Sequence, residues 1–298
     1  MRLAFLGSPP AGVPTLRALV AAGHDVALVV SGPDKRRGRG GARTPTPVKA
    51  AALELGLAVT DRLEDVADAG VELGVVVAYG RIIPTSLLDV VPMVNLHFSL
   101  LPRWRGAAPV ERAILAGDDR TGVCVMDVAE GLDTGAVHAV AEVPIDDRVT
   151  AEELTATLAD VGAGLLVRTL ADGLGPGTPQ ADDGVTYAKK ITVEDRHLDW
   201  GRPAVELQRV VRIGGAWTTF RGARLKVLDA RVVDGPAGQP GTPGRLAGTT
   251  VRCGDRGLEL LRVQPEGKAP MDAEAWRNGA RPEPSERLGE DGPVAAGG

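Results

Sequence analysis

The sequence predicts an α/β protein in which a doubly wound, mostly parallel sheet is followed by a small β-barrel domain. Over the first 170 residues, short apolar runs alternate with helical patterns, an order typical of a parallel sheet covered by helices. A Gly- and Pro-rich stretch from 173 to 180 interrupts this pattern. Beyond Trp200 the chain changes to short, β-branched, Arg-rich runs, which favour a small barrel.

The first β-α unit is read from its start and stop signals. Arg2 to Leu6 is a short apolar strand, and Ser8 is a candidate N-cap for the helix that follows. Pro9 suits the first helical turn, and Gly23 is placed to end the helix. Val26 to Val30 is the next buried strand.

The remaining elements follow from apolar periodicity and turn residues. Thr150-Ala-Glu-Glu153 is a capping box that opens a helix reaching about Leu170, and the polar tail after Arg281 is expected to fray. Further strands are predicted at 71–78, 93–98, 121–128, 225–228 and 249–252, and further helices at 48–55, 84–90 and 109–116.

Composition is that of an ordinary globular chain. Its 298 residues are 44% hydrophobic and 24% charged, enough for two domains with buried cores. We expect a cytoplasmic protein without a membrane partner, because there is no apolar run near 18 residues and no N-terminal leader. Cys124 and Cys253 form no CxxC or Cys/His cluster, so both are predicted to be buried, reduced thiols.

Positive charge is concentrated in two stretches, although the net charge is -5. Seven basic and two acidic residues lie between Arg202 and Arg231, and five basic residues lie between Lys35 and Arg43. A flexible, solvated connection is the ordinary interpretation of such an Arg/Gly loop. Two basic surfaces instead suit a protein whose active site must find the end of a long polyanion.

Asn95, His97 and Asp133 are the candidate reactive residues. If 93–98 is a strand, Asn95 and His97 leave the same face of the sheet. Asp133 lies on the Gly-bracketed loop 131–135, which can bring a carboxylate back to orient the imidazole. An amide, an imidazole and a carboxylate in one place suit an acyl-type transfer.

Other interpretations of these residues carry less weight. His97 taken alone could be a satisfied core histidine. His97, Asp133 and His138 could in principle hold a metal, but their spacing matches no familiar zinc pattern, so no metal is expected. The first β-α turn, Gly7 to Gly12, is not GxGxxG, which argues against a dinucleotide site.

With these residues in view, the chain resembles the methionyl-tRNA formyltransferase family over nearly its whole length. The most specific stretches are Val77-Ala-Tyr-Gly80, Asn95 to Pro109 and Gly131-Leu-Asp-Thr-Gly135. The three residues Asn95, His97 and Asp133 alone would mark only the wider folate-dependent formyltransferase group. Matches at Val185 to Lys190 and Gln264 to Lys268 select the tRNA-specific family.

The resemblance implies a formyltransferase fold: a Rossmann-like catalytic domain at 1–184, a linker at 185–203 and an OB-like β-barrel domain at 204–298. It implies an enzyme that moves a formyl group from 10-formyltetrahydrofolate to the α-amino group of methionine on initiator methionyl-tRNA, and we expect this enzyme to be a monomer. Asn95, His97 and Asp133 would be catalytic. The residues implied in folate binding are Ser99, Leu100, Leu101, Pro102, Ala78 and Tyr79, and those implied in tRNA binding are Arg36, Arg37, Arg39 and Arg43.

Three rival functions stay open at this point. A formyltransferase acting on a small amine, such as an amino sugar nucleotide or glycinamide ribonucleotide, would not need two basic surfaces. A noncatalytic RNA-binding protein would use the α/β half only as a scaffold. A hydrolase with the same polar residues would release formate without any amine acceptor.

Overall fold

The computed structural model describes residues 1–36, 43–234 and 242–290, with only the backbone described for Lys35 and Arg36. The chain forms two compact units. The first comprises Met1–Arg112, Asp119–Ile145 and Glu153–Lys190, and the second comprises Ala113–Asp118, Asp146–Glu152 and the chain from Ile191 onward. The division near residue 190 falls inside the predicted linker, and the domain boundaries given above stay a prediction.

The first unit is built on a mixed sheet in which five adjacent strands are parallel. The strands of this unit are β1 Arg2–Gly7, β2 Asp25–Val30, β3 Lys35–Arg36, β4 Arg43–Thr44, β5 Val59–Thr60, β6 Leu73–Val77, β7 Met93–His97, β8 Arg105–Gly106, β9 Arg120–Asp127, β10 Val137–Pro144 and β11 Tyr187–Ala188. Its helices are α1 Val13–Ala21, α2 Pro47–Glu54, α3 Thr85–Leu88, the first half of α4 Pro109–Ala116, and α5 Ala151–Asp172 from Glu153 onward.

Within the described residues, seven of these strands form one sheet in the order β10-β9-β7-β6-β1-β2-β5. Neighbours from β5 to β7 are parallel, whereas β9 is antiparallel to β7 and β10 is antiparallel to β9. All residues of β6 are buried, as expected for a central parallel strand with both faces covered. The short strands β3 and β4 pair with each other, as do β8 and β11.

The first helix begins later than predicted, so the assignment of Ser8 as its N-cap is wrong. A 3-10 turn at Pro10–Gly12 comes first, and α1 begins at Val13. The residue before a proline is disfavoured in the helical region, and both Ser8 and Pro9 precede prolines. The Ser8 hydroxyl instead accepts a hydrogen bond from the Gly32 amide at 3.0 Å.

The long helix α5 packs closely on the sheet. Leu158 and Leu166 are fully buried, and a Cβ added at Gly162 would lie 3.0 Å from Val123 Cγ2 and 3.4 Å from Leu96 Cδ1. Glycine therefore allows the helix to approach β7 and β9. By length and composition alone, α5 is also the one described helix that could cross a membrane, but its buried face against the sheet is that of a core helix.

The second unit is an antiparallel β domain with two helices. Its described strands are β12 Trp217–Phe220, β13 Ala223–Val233, β14 Leu246–Ala247, β15 Thr250–Arg252, β16 Gly257–Pro265 and β17 Met271–Asp272, with helices α6 Ala204–Arg212 and α7 Ala273–Ala280. The strand order is β12-β13-β16-β15-β14, with β17 added on β16. Register shifts on either side of Asp229 interrupt the β13–β16 pairing, and such bulges bend strands and let a sheet curl.

A core of its own supports the second unit. Phe220 and Trp276 meet edge to face with ring centroids 5.3 Å apart, and the Trp200 indole donates a hydrogen bond to Thr218 Oγ1 at 3.0 Å. The predicted class is confirmed: a Rossmann-like, mostly parallel sheet followed by a separate β domain.

Two glycines of α5 offer a matched test of helix packing. We expect Gly164→Ala to raise the free energy of unfolding by about 1 kcal/mol, because alanine favours the helix and a Cβ there meets only the flexible end of Arg168. Gly162→Ala should be less stable than Gly164→Ala by about 1 kcal/mol, because its Cβ crowds two buried side chains. Denaturant midpoints check this, and equal stabilisation by both variants would contradict the packing described.

Both cysteines should be unreactive in the folded protein. Burial raises the pKa of the Cys124 thiol to about 11 and that of Cys253 to about 12, so the reactive thiolate is scarce at neutral pH. A thiol-specific chromogenic reagent should label neither residue in buffer and both in concentrated guanidinium chloride. Rapid labelling of one thiol in buffer would show that it is accessible.

Candidate active site

Strand β7 places Asn95 and His97 on one face of the sheet, because the two residues are separated by one position. His97 is 5% exposed and Asn95 is half-buried, so the imidazole is held more deeply than the amide. Their register partners on β9 are Cys124 for His97 and Met126 for Asn95.

Asp133 reaches His97 through a loop that folds back along β7. Strand β9 ends at Asp127, which pairs with Val94 at the start of β7, so the following loop begins short of His97. The loop then returns over the sheet and brings Asp133 Oδ2 to 3.7 Å from His97 Nδ1. The side chain of Asp133 is 17% exposed, and its backbone is left-handed, with φ +50°.

Two backbone groups from the segment after β7 hold this pair. His97 Nε2 lies 2.8 Å from the carbonyl oxygen of Trp104, and the Gly106 amide donates to Asp133 Oδ2 at 2.8 Å. A carbonyl oxygen can only accept, so Nε2 carries a hydrogen and Nδ1 is the nitrogen that faces Asp133. The sequence does not reveal these partners, because backbone groups have no side-chain signature.

Glycine is required at two points of this arrangement. Gly106 has φ +119°, and a Cβ there would lie 2.9 Å from the Ala188 carbonyl oxygen. A Cβ at Gly135 would lie 1.9 Å from the carbonyl oxygen of Asp127. Both close backbone approaches exclude a side chain, which explains these two glycines of the predicted motifs.

The residues predicted to bind folate after β7 differ in exposure. Ser99 is fully buried, and its hydroxyl donates to the Arg103 carbonyl oxygen at 2.6 Å. Leu100, Leu101 and Pro102 are half-buried, so these three residues have accessible surface.

The other two predicted folate residues follow β6. Ala78 is exposed and adopts a left-handed backbone with φ +48°, whereas Tyr79 is packed into a hydrophobic cluster with Ala4, Leu6 and Val76. Ala78 can therefore present its backbone to a ligand, whereas the Tyr79 side chain packs in the hydrophobic core.

The predicted tRNA-binding arginines are only partly described. Arg43 is exposed on β4, and Arg36 contributes the backbone of β3. Arg37 and Arg39 lie outside the described residues. The predicted role of Arg37 and Arg39 in tRNA binding therefore stays a prediction.

His138 has a carboxylate partner other than the one considered from sequence. Its Nε2 lies 2.7 Å from Asp127 Oδ1, and its side chain is 8% exposed. Among the residues that the structure describes, no group of three His, Cys, Asp or Glu side chains could hold a metal ion. The Asp127–His138 pair thus forms a second carboxylate–imidazole contact, separate from Asp133 and His97.

Comparison with known proteins assigns the family. Residues 1–170 match the formyl transferase family model, and residues 190–281 match the model of the formyl transferase C-terminal domain. The chain is 46% identical to the methionyl-tRNA formyltransferase of Jannaschia sp. strain CCS1, with 94% of this chain and 97% of that protein aligned. Identity to the Streptomyces coelicolor methionyl-tRNA formyltransferase is 44%, covering 97% of this chain and all of the relative.

Solved structures share the fold at low identity. The methionyl-tRNA formyltransferase from Clostridium thermocellum superposes with a TM-score of 0.59 and 15% identity, covering 78% of this chain and 93% of that one. An N-formyltransferase from Helicobacter canadensis, solved with folinic acid and dTDP-3-aminofucose, has a TM-score of 0.63 and 15% identity, covering 88% of this chain and 98% of that one. On the two family models and the long alignments at 44% identity or more, this chain belongs to the methionyl-tRNA formyltransferase family.

Proposed function

We propose that this protein transfers the formyl group of 10-formyltetrahydrofolate to the α-amino group of methionine on initiator methionyl-tRNA. The observation that carries the proposal is the near full-length identity to relatives named methionyl-tRNA formyltransferase. A Helicobacter canadensis enzyme of the same fold was solved with folinic acid, which supports a folate-derived donor. We further infer that the protein acts as a cytoplasmic monomer.

The half-buried amide of Asn95 supplies a fixed hydrogen-bond donor. When the methionyl amine attacks the formyl carbon, a new C–N bond forms and negative charge develops on the formyl oxygen. A preorganised donor at that oxygen contributes on the order of 3 kcal/mol to lowering the barrier. Its place on an internal strand of the sheet fixes the backbone from which this amide projects.

His97 supplies the group that moves a proton. With Nε2 donating to the Trp104 carbonyl, Nδ1 of the neutral ring is free to accept. The incoming amine must lose a proton, and the folate nitrogen must gain one when its bond to the formyl carbon breaks. Transfer through His97 Nδ1, or through a water held by Asp133, accounts for both requirements.

Asp133 orients His97 and stabilises the positive charge that the ring gains. Its Oδ2 lies 3.7 Å from Nδ1, longer than a hydrogen bond but close enough for an ion pair. The Gly106 amide fixes that oxygen from the other side at 2.8 Å. The carboxylate can therefore stabilise a positive charge on the imidazole while it keeps the hydrogen bond from the Gly106 amide.

One assay separates this proposal from its rivals. The purified protein is mixed with 10-formyltetrahydrofolate and charged initiator tRNA, and formylmethionine is measured. Formylation of a free amino sugar nucleotide at a comparable rate would favour a small-amine enzyme. Formate release without an acceptor would indicate a hydrolase, and tRNA binding without any product would indicate a noncatalytic protein.

Asp133→Asn should lower kcat by about a hundredfold or more, because general acid–base groups contribute at least that much. Asn95→Ala and His97→Gln should have effects of similar size, each with a melting temperature near that of the wild type. Formyl transfer to methionyl-tRNA under saturating substrates is the measurement.

Asp127→Asn is the matched control, because Asp127 contacts His138 as Asp133 contacts His97, and at the shorter distance of 2.7 Å. We expect less than about a fivefold loss in this variant. A larger loss in Asp127→Asn than in Asp133→Asn would transfer the catalytic role to the other pair.

Arg39→Ala should raise the KM for tRNA while leaving the KM for the folate donor unchanged. Loss of one phosphate contact should also reduce the slope of log affinity against log salt concentration by about 1. Arg120→Ala is the control, because this exposed arginine is flanked by Asp119 and Glu142. If both variants use tRNA equally well, the basic loop does not bind the nucleic acid.

A further inference from the structure

The side chain of Gln180 joins the two segments that carry the candidate catalytic pair. Its Nε2 donates to the carbonyl oxygens of Asp133 and Gly135, both at 2.8 Å. Its Oε1 accepts two hydrogen bonds from Arg105, from Nε at 3.0 Å and from Nη2 at 2.8 Å. The amide thus lies between the loop that bears Asp133 and the segment that follows β7.

The orientation of this amide follows from its partners. Arginine has only donors, so the amide oxygen must face Arg105, and the amide nitrogen must then face the two carbonyl groups. The arrangement is consistent in all four contacts, and the reversed amide would oppose like groups at each of them. Arg105 therefore fixes which end of Gln180 meets the loop.

Asp133 needs such support, because its backbone lies in the left-handed region at φ +50°. That conformation is unfavourable for a non-glycine residue, and only surrounding contacts can hold it. Gln180 donates to the carbonyl group of Asp133 itself and to that of Gly135, two residues further along the loop. These two hydrogen bonds restrain the loop at the point where the carboxylate turns toward His97.

Arg105 completes the connection, because it lies between the two residues whose backbone groups hold the pair. Its predecessor, Trp104, accepts from His97, and its successor, Gly106, donates to Asp133. The guanidinium–amide contact therefore ties the distance between His97 and Asp133 to the position of Gln180.

We propose that Gln180 is a positioning residue for Asp133, oriented by Arg105, and that it sets the geometry of the reacting pair. The inference rests on the catalytic role proposed for Asp133. Gln180 is the last residue of the Gly- and Pro-rich stretch, in which the sequence pattern indicated no site residue. The segment keeps its place by two other bonds, since Val137 and Thr178 exchange backbone hydrogen bonds of 2.8 Å.

Gln180→Glu is the sharpest test. The carboxylate keeps an acceptor for Arg105 but loses both donations and places negative charge against two carbonyl oxygens. We expect kcat to fall by about ten- to a hundredfold, because small misplacements of reacting groups have effects of this order. The KM values for tRNA and for the folate donor should change less than about threefold, since Gln180 contacts neither substrate in the proposal.

A double-mutant cycle separates positioning from a general structural role. If Gln180 acts through Asp133, then Gln180→Glu in an Asp133→Asn background should lower the single-turnover rate by less than about twofold. Loss by the same factor in both backgrounds, or a wild-type kcat for Gln180→Glu alone, would overturn the inference. Absence of product with the wild-type protein would instead refute the proposed function.

Two further variants control the experiment. Gln208→Glu makes the same chemical change at a half-buried residue of the second unit, whose Nε2 also donates to a backbone carbonyl, that of Asp147 at 3.0 Å. Its kcat should stay within about twofold of the wild type. If Gln180→Glu fails to fold, Arg105→Lys tests the same link, because lysine cannot make the forked contact, and an unchanged kcat there would overturn the inference.

Discussion

The hydrogen bond from the Gly106 amide to Asp133 Oδ2 is the constraint on which the candidate site depends. Without it, a carboxylate on the loop between β9 and the edge strand β10 would have no fixed position relative to β7. The neighbouring carbonyl of Trp104 applies the same constraint to His97, at the same distance of 2.8 Å. The spacing of imidazole and carboxylate is therefore set by consecutive peptide groups of one segment.

Sheet topology explains why this constraint is needed. The antiparallel addition of β9 sends the chain away from His97, since Asp127 lies beside Val94, and the following loop must return over the sheet. A returning loop has no ladder bonds of its own to define its path. The contacts at Gly106, and those of the Gln180 amide, replace the ladder at this point.

Patterns among neighbouring residues predicted those features of the structure that depend only on neighbouring residues. Strand periodicity alone put Asn95 and His97 on one face, and the alternation of strands and helices gave the correct class of fold. Ser8 was assigned wrongly, because the steric effect of two consecutive prolines outweighed its capping preference. The partners of His97 and Asp133 could not be predicted, since they are main-chain groups brought together by tertiary structure. Arg39 lies outside the described residues, so its predicted role rests on the sequence alone.

The involvement of main-chain groups has an evolutionary consequence. Mutation can replace the side chain of residue 104 without removing its carbonyl group, and the amide at position 106 persists as long as the glycine that the close backbone approach requires is kept. Drift elsewhere in this segment can shift the imidazole and the carboxylate slightly, yet it leaves the two main-chain groups that anchor them. Divergent members of such a lineage could exchange one amine acceptor for another while inheriting the same reactive pair.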